Sequence, residues 1–129
     1  MGIKIKGKII KGLNQGTYFT QIPWVREQFI EKLGIDPYPG TLNLEIVDED
    51  DLKNFKDLKR IMVIEIKPKD PSFCSAKCYP ILIHGNFRGA VVIPLIKDYP
   101  ENKIEIISSF NLKKSLNIRE GDFLEIEFI

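Results

Sequence analysis

Histidine is almost absent from this chain of 129 residues, which has only His84, and cysteine is scarce, with Cys74 and Cys78 alone in "SFCSAKC". A structural zinc needs about four such ligands, so these three do not supply one. No Ser-His-Asp or Cys-His spacing supports nucleophilic catalysis either, and His84, beside Gly85 and Asn86, reads as a turn residue. Two ordinary thiols on a variable connection are expected, with a short disulfide as the other option. An excess of one charge sign is also missing. Nineteen Lys plus Arg face eighteen Asp plus Glu, a net +1, which leaves no global excess to grip a nucleic-acid backbone or an anionic membrane. No apolar run approaches the length of a membrane span, and "MGIKIKGKII" lacks the uninterrupted apolar segment of a secretory signal. A cytoplasmic protein is therefore expected, with no nucleic acid and no membrane as partner. Internal repeats and low-complexity stretches are lacking too.

With 43% hydrophobic and 29% charged residues, the composition fits one globular domain over residues 1–129. Strand signals dominate. In "IKIKGKII", Ile3, Ile5 and Ile9 alternate with lysines across Gly7, and "TLNLEI" alternates Leu42, Leu44 and Ile46 against Thr41, Asn43 and Glu45. "TYFTQI", "RIMVIEIKP", "YPILIHG", "GAVVIPLI", "KIEIISS" and the closing "DFLEIEFI" read as further extended segments, separated by proline, glycine or charged turns. Pro23 opens a helix whose apolar face carries Trp24, Val25, Phe29, Ile30 and Leu33, and Gly34 ends it. "NLKKSLNI" predicts one short helix, and the acidic run at residues 48–51 a solvated connector. Many short strands with few helices predict a closed or nearly closed β-barrel, because closure removes exposed sheet edges.

Three features carry chemistry. "KGLNQGTYF" sets Gly12 and Gly16 around small polar residues, a pattern that suits either a phosphate cradle or a hairpin turn, since glycine lets any group approach the backbone. Thr41 and Asn43 project from one face of a strand, where two neutral oxygens can help hold magnesium or simply form a cross-strand hydrogen-bond pair. Glu105 alternates with Ile104 and Ile106, so it points away from what they bury, toward solvent or toward a ligand groove.

Taken in order along the chain, "GLNQGTYF", "DPYPGTLNLEI", "GAVVIP", "IEII" and "NLKKSLNIREGD" closely resemble the archaeal-type, CTP-dependent riboflavin kinases over nearly the whole length. The resemblance implies a mainly β fold, a six-stranded cradle-loop (riboflavin kinase-like) barrel with one or two short helices. It also implies an activity: magnesium-dependent transfer of the γ-phosphoryl group of CTP to the 5′-hydroxyl of riboflavin, giving FMN and CDP. By the same resemblance Gly12, Leu13, Asn14, Gln15, Gly16, Thr17 and Tyr18 match the nucleotide-binding loop, and Phe110, Asn111, Leu112 and Lys113 a second nucleotide-binding segment. Thr41 and Asn43 match the magnesium ligands, and Glu105 a flavin-contacting carboxylate. A second flavin contact falls on Lys97 or Asp98. Asn14 and Gln15 replace a commoner Gly-Glu, Ser108 and Ser109 a frequent Ala-Pro, and Lys113 a frequent arginine, which trades a planar fork for a single mobile charge. A noncatalytic flavin- or nucleotide-binding barrel is the alternative, followed by a swapped-hairpin-type DNA-binding barrel.

Overall fold

The computed structural model describes residues 2–12, 16–61 and 64–129. Alternation of apolar and polar residues builds most of it. Strand β1 (Ile3–Ile10) buries Ile5 and Ile9 and exposes the lysines between them; β2 (Leu42–Glu45), β3 (Ile64–Ile66), β4 (Ala76–Ile83), β5 (Phe87–Pro94), β6 (Lys103–Ser108) and β7 (Phe123–Phe128) follow in chain order. All pairings are antiparallel, in the order β3-β4-β5-β6-β2-β1-β7, and β4 pairs with β7 through Ile81, Leu82 and Ile83. That last pairing closes six strands into a barrel and leaves β3 as an extra strand on β4, as the sequence led us to expect of the barrel.

The strands have two apolar faces, and the faces have different partners. Ile5, Leu44, Tyr79, Ile81, Ile83, Val91, Ile104, Ile106, Leu124 and Ile126 form the interior cluster, all 3% exposed or less. Cys78, Ala90, Val92 and Ile107 alternate with them and belong to a second cluster on the outer wall, covered by Val25 and Phe29 of helix α2 (Pro23–Leu33). The filled interior leaves the outer wall and the barrel rim as the places where a ligand can bind.

Helix α2 is as expected at both ends. Pro23 occupies its first turn, and Gly34 closes it at φ 68°, a left-handed conformation that glycine adopts without a Cβ penalty. Ile30 departs from the expected apolar face: it is 43% exposed, whereas Val25 and Phe29 are buried in the outer-wall cluster and Trp24 and Leu33 pack against it.

Two segments differ from expectation. "TYFTQI" is not a strand. Residues Gly16–Gln21 form helix α1, which breaks at Ile22 and continues as α2. Phe19 meets Phe29 edge-on at 6.4 Å and Thr20 is fully buried, so packing of the helix pair overrides the strand preference of aromatic and β-branched residues. The chain after β1 therefore does not return as a hairpin; β1 pairs with β2 and β7 instead.

Nor is the acidic run a connector. Helix α3 (Glu49–Leu58) begins there, with the Asp48 carboxylate accepting from the Asp51 amide at 3.0 Å and Glu49, Asp50 and Asp51 in the first turn, where negative charge favours the helix dipole. Its Phe55 is fully buried in the interior cluster, tilted against Phe128 with ring centroids 6.3 Å apart. A short helix α4 (Leu112–Ser115) is where "NLKKSLNI" predicts one, bringing the helices among the described residues to four rather than one or two.

Smaller expectations resolve simply. His84 (φ 51°) and Gly85 (φ 72°) form the tight turn between β4 and β5, with the Asn86 amide donating to the Ile83 carbonyl at 3.2 Å. Cys74 and Cys78 are free thiols; burial pushes the Cys78 thiol up to about 12, so it is not a thiolate at neutral pH. Among the described residues, no helix is long and apolar enough to cross a membrane.

Candidate functional site

A cleft of about 670 Å³ opens on the outer side of β2 and β6. Period-two geometry puts Thr41 and Asn43 on the β2 face opposite Leu42 and Leu44, and Glu105 on the β6 face opposite Ile104 and Ile106. Strand register then joins the two sets, because Asn43 stands directly across from Glu105 in the β2–β6 ladder. The Thr41 hydroxyl donates to Glu105 Oε1 at 3.3 Å, and Asn43 Nδ2 donates to the Thr41 carbonyl at 3.3 Å and to Thr41 Oγ1 at 3.4 Å. These three side chains form one hydrogen-bonded group on the cleft wall.

Gly12, just beyond β1, lines the same cleft. A Cβ built on it would collide with the Asn43 side-chain amide, so glycine is required here by close approach and not by an unusual backbone angle. Gly16, Thr17 and Tyr18 contribute the first backbone turn of α1. Leu13, Asn14 and Gln15, the middle of the expected nucleotide loop, lie outside the described residues.

The far wall is built from residues 108–113. Ser108 is 3% exposed; its hydroxyl donates to the Arg88 carbonyl at 2.8 Å and accepts from the Phe110 amide at 3.4 Å, which fixes how the chain leaves β6. Phe110 is half exposed and meets Phe87 edge-on at 5.2 Å. Asn111 caps α4 by accepting from the Lys114 amide and gives its Nδ2 to the Tyr38 hydroxyl at 3.2 Å. Lys113 is exposed at the cleft, whereas the Leu112 side chain is packed into the interior cluster, so only its backbone is available there.

The loop at residues 36–40 forms the cleft's upper lip. The Tyr38 amide donates to the Ser108 carbonyl at 2.8 Å, the Gly40 amide to the Thr20 hydroxyl at 3.1 Å, and Arg26 grips Asp36 through two nitrogens at 2.7 and 2.9 Å. Those hydrogen bonds from Arg26 hold the Asp36 carboxyl below the usual range. Of the two positions offered for a further flavin contact, Asp98 lines the cleft, in a turn where its φ is 64°.

Tyr99 escaped the sequence reading. Its hydroxyl donates to Glu105 Oε2 at 2.5 Å, and Lys103 stands over its ring at 5.5 Å. Burial first, then the neighbouring Glu105 carboxylate, pushes the phenol pKa upward, so it keeps its proton and acts as a donor at neutral pH. The only sequence signal for it is its place in "KDYPEN", a proline-bounded turn leading into the strand of Glu105.

The donor chemistry fits a hard divalent cation. Thr41 Oγ1 spends its proton on Glu105 and one lone pair on the Asn43 amide, which leaves one lone pair, and the Asn43 carbonyl oxygen accepts no hydrogen bond among the described residues. No group of three or more His, Cys, Asp or Glu residues converges among the described residues; the side-chain oxygens at hand for a cation are those of Thr41 and Asn43 beside the Glu105 carboxylate, and magnesium completes such a set with water and phosphate oxygens. Lys11, Lys103 and Lys113 face Asp98, Glu105 and Glu120 around the cleft.

A family model named CTP-dep_RFKase and described as Domain of unknown function DUF120 matches residues 9–128. The chain is 41% identical over 128 residues to the riboflavin kinase of Saccharolobus solfataricus, covering 97% of this chain and 73% of that protein. It is 40% identical to the riboflavin kinase of Sulfurisphaera tokodaii, covering 97% and 94%. Against the riboflavin kinase of Archaeoglobus fulgidus the identity is 39%, covering 98% of this chain but 55% of the relative, so the chain spans about half the length of some of the relatives it matches.

Proposed function

The chain belongs to the CTP-dependent riboflavin kinase family, and on that premise we propose that it transfers the γ-phosphoryl group of CTP to the 5′-hydroxyl of riboflavin, giving FMN and CDP. One observation carries the reading. The β2–β6 register sets Asn43 opposite Glu105, so a pair of oxygen donors suited to magnesium adjoins a carboxylate suited to a polar ligand, in a cleft also lined by Gly12 and residues 110–113.

In this reading residues 12–18 and 110–113 hold CTP from two sides, with backbone amides of the glycine-flanked loop toward the phosphates and Lys113 as a point charge. Thr41 and Asn43 would hold magnesium through their side-chain oxygens, and Glu105 accepts hydrogen bonds from riboflavin. Bound magnesium would neutralise charge on the phosphate oxygens. The chain's own contribution is alignment: β2 and β6 fix both substrates on one rigid wall, and phosphoryl transfer draws most of its acceleration from such positioning and charge neutralisation. The packed interior and the cleft on the outer wall suit this reading, since both substrates then enter from one side.

A panel of CTP, ATP, GTP and UTP with riboflavin and magnesium tests the donor. FMN is expected to form fastest with CTP; equal turnover with ATP would overturn the choice of CTP while leaving a riboflavin kinase. Gly12→Ala tests the loop. Its Cβ displaces the Asn43 amide, and kcat/KM for CTP is expected to fall about 10- to 100-fold, as for other displacements near 1 Å in an aligned site. Circular dichroism should show the fold retained.

A further inference from the structure

Tyr99 lies in no motif of the proposed site, yet it makes the shortest hydrogen bond in the cleft among the described residues. Its hydroxyl donates to Glu105 Oε2 at 2.5 Å, while Oε1 of the same carboxylate accepts from Thr41 at 3.3 Å. A glutamate has three side-chain torsions, and ordering them on ligand binding would weaken that binding. Here hydroxyls on both carboxylate oxygens hold the group before a ligand arrives. The turn that carries Tyr99 is itself fixed, with Asp98 at φ 64° and the Lys103 amide donating to the Pro100 carbonyl at 3.3 Å. The Tyr99 ring packs against the interior cluster, which anchors the phenol independently of any ligand.

We propose that Tyr99 is a positioning residue for riboflavin: it clamps Glu105 Oε2 so that the carboxylate presents its remaining lone pairs to the flavin in a fixed orientation. This rests on the reading of Glu105 as the flavin-orienting group. Tyr99 does not touch the nucleotide in this account, so its effect is confined to one substrate.

Tyr99→Phe keeps the ring and removes only the donor. Riboflavin binding, followed by quenching of flavin fluorescence without nucleotide, is expected to weaken about tenfold, consistent with loss of a hydrogen bond to a charged group. KM for CTP is expected to stay within about twofold and the melting temperature to be nearly unchanged, since the ring packing survives. In a Glu105→Ala background the same substitution should have no further effect, because Tyr99 acts through Glu105. Unchanged riboflavin binding in Tyr99→Phe, an equal loss for both substrates, or additivity with Glu105→Ala would each overturn the proposal. Unmutated protein that binds riboflavin but forms no FMN would overturn the kinase reading and leave the Tyr99 measurement intact; unmutated protein that does not bind riboflavin would overturn both.

Discussion

Asn43→Ala is expected to lower FMN formation at saturating CTP and riboflavin by at least about 100-fold, with part of the loss recovered at high magnesium. Losing even an outer partner of a metal ligand commonly costs about 10- to 100-fold, and this substitution removes one of only two protein oxygens assigned to the cation. It also strips Thr41 of the amide that donates to its carbonyl and hydroxyl, and leaves space beside Gly12 where the amide was packed. The β2–β6 ladder is made by backbone groups and survives, so the chain should stay folded; Asn43 is only 6% exposed, but it contributes nothing to either apolar cluster. Steady-state kinetics over a magnesium series, with a thermal melt alongside, checks both halves. A variant within about threefold of the unmutated rate would remove Asn43 from the metal site.

The largest effect on stability is expected at Phe55→Ala, a residue that does not line the cleft. Phe55 is fully buried, packs on Phe128 and carries Lys59 over its ring at 4.7 Å from the centroid. Truncating a buried phenylalanine costs about 3–5 kcal/mol, from lost transfer energy plus the cavity left behind. Against a total near 5–15 kcal/mol for an ordinary domain, that is a large share. A urea titration should show a clearly lower midpoint, whereas kcat at low temperature, where the variant stays folded, should hold. A midpoint unchanged by the substitution would mean that α3 is not part of the barrel's packing.

Phe55 also shows where the sequence was legible and where it was not. Alternation identified β1 and β7, where one face is buried and the other largely solvated, and β2, where Leu42 and Leu44 alternate with polar residues although Asn43 is buried too. Helix α3 was hidden by its own beginning: Asp48, Glu49, Asp50 and Asp51 look like a solvated run, yet they are an N-cap and first turn, and Leu52, Phe55 and Leu58 follow at helical spacing. Helix α1 was hidden differently, since Phe19 and Thr20 favour strands in isolation and only the contact with Phe29 decides otherwise.

The candidate site divides the same way. That Thr41 and Asn43 share a face follows from strand periodicity alone, and that Glu105 points away from the interior follows from its isoleucine neighbours. Their meeting does not follow from either, because it depends on the register between strands some sixty residues apart. Tyr99 was out of reach for a related reason: it belongs to a turn, where no periodicity says which way a side chain points. The Ser108 hydroxyl, read only as a departure from a commoner sequence, turns out to tie the end of β6 to Arg88 and Phe110.

The most direct test is product identification after incubating the purified chain with riboflavin, CTP and magnesium. FMN and CDP are expected in equal amounts, with formation of both abolished when riboflavin or magnesium is left out. CTP consumption without FMN, or no FMN with any nucleoside triphosphate while the chain is folded, would contradict the account.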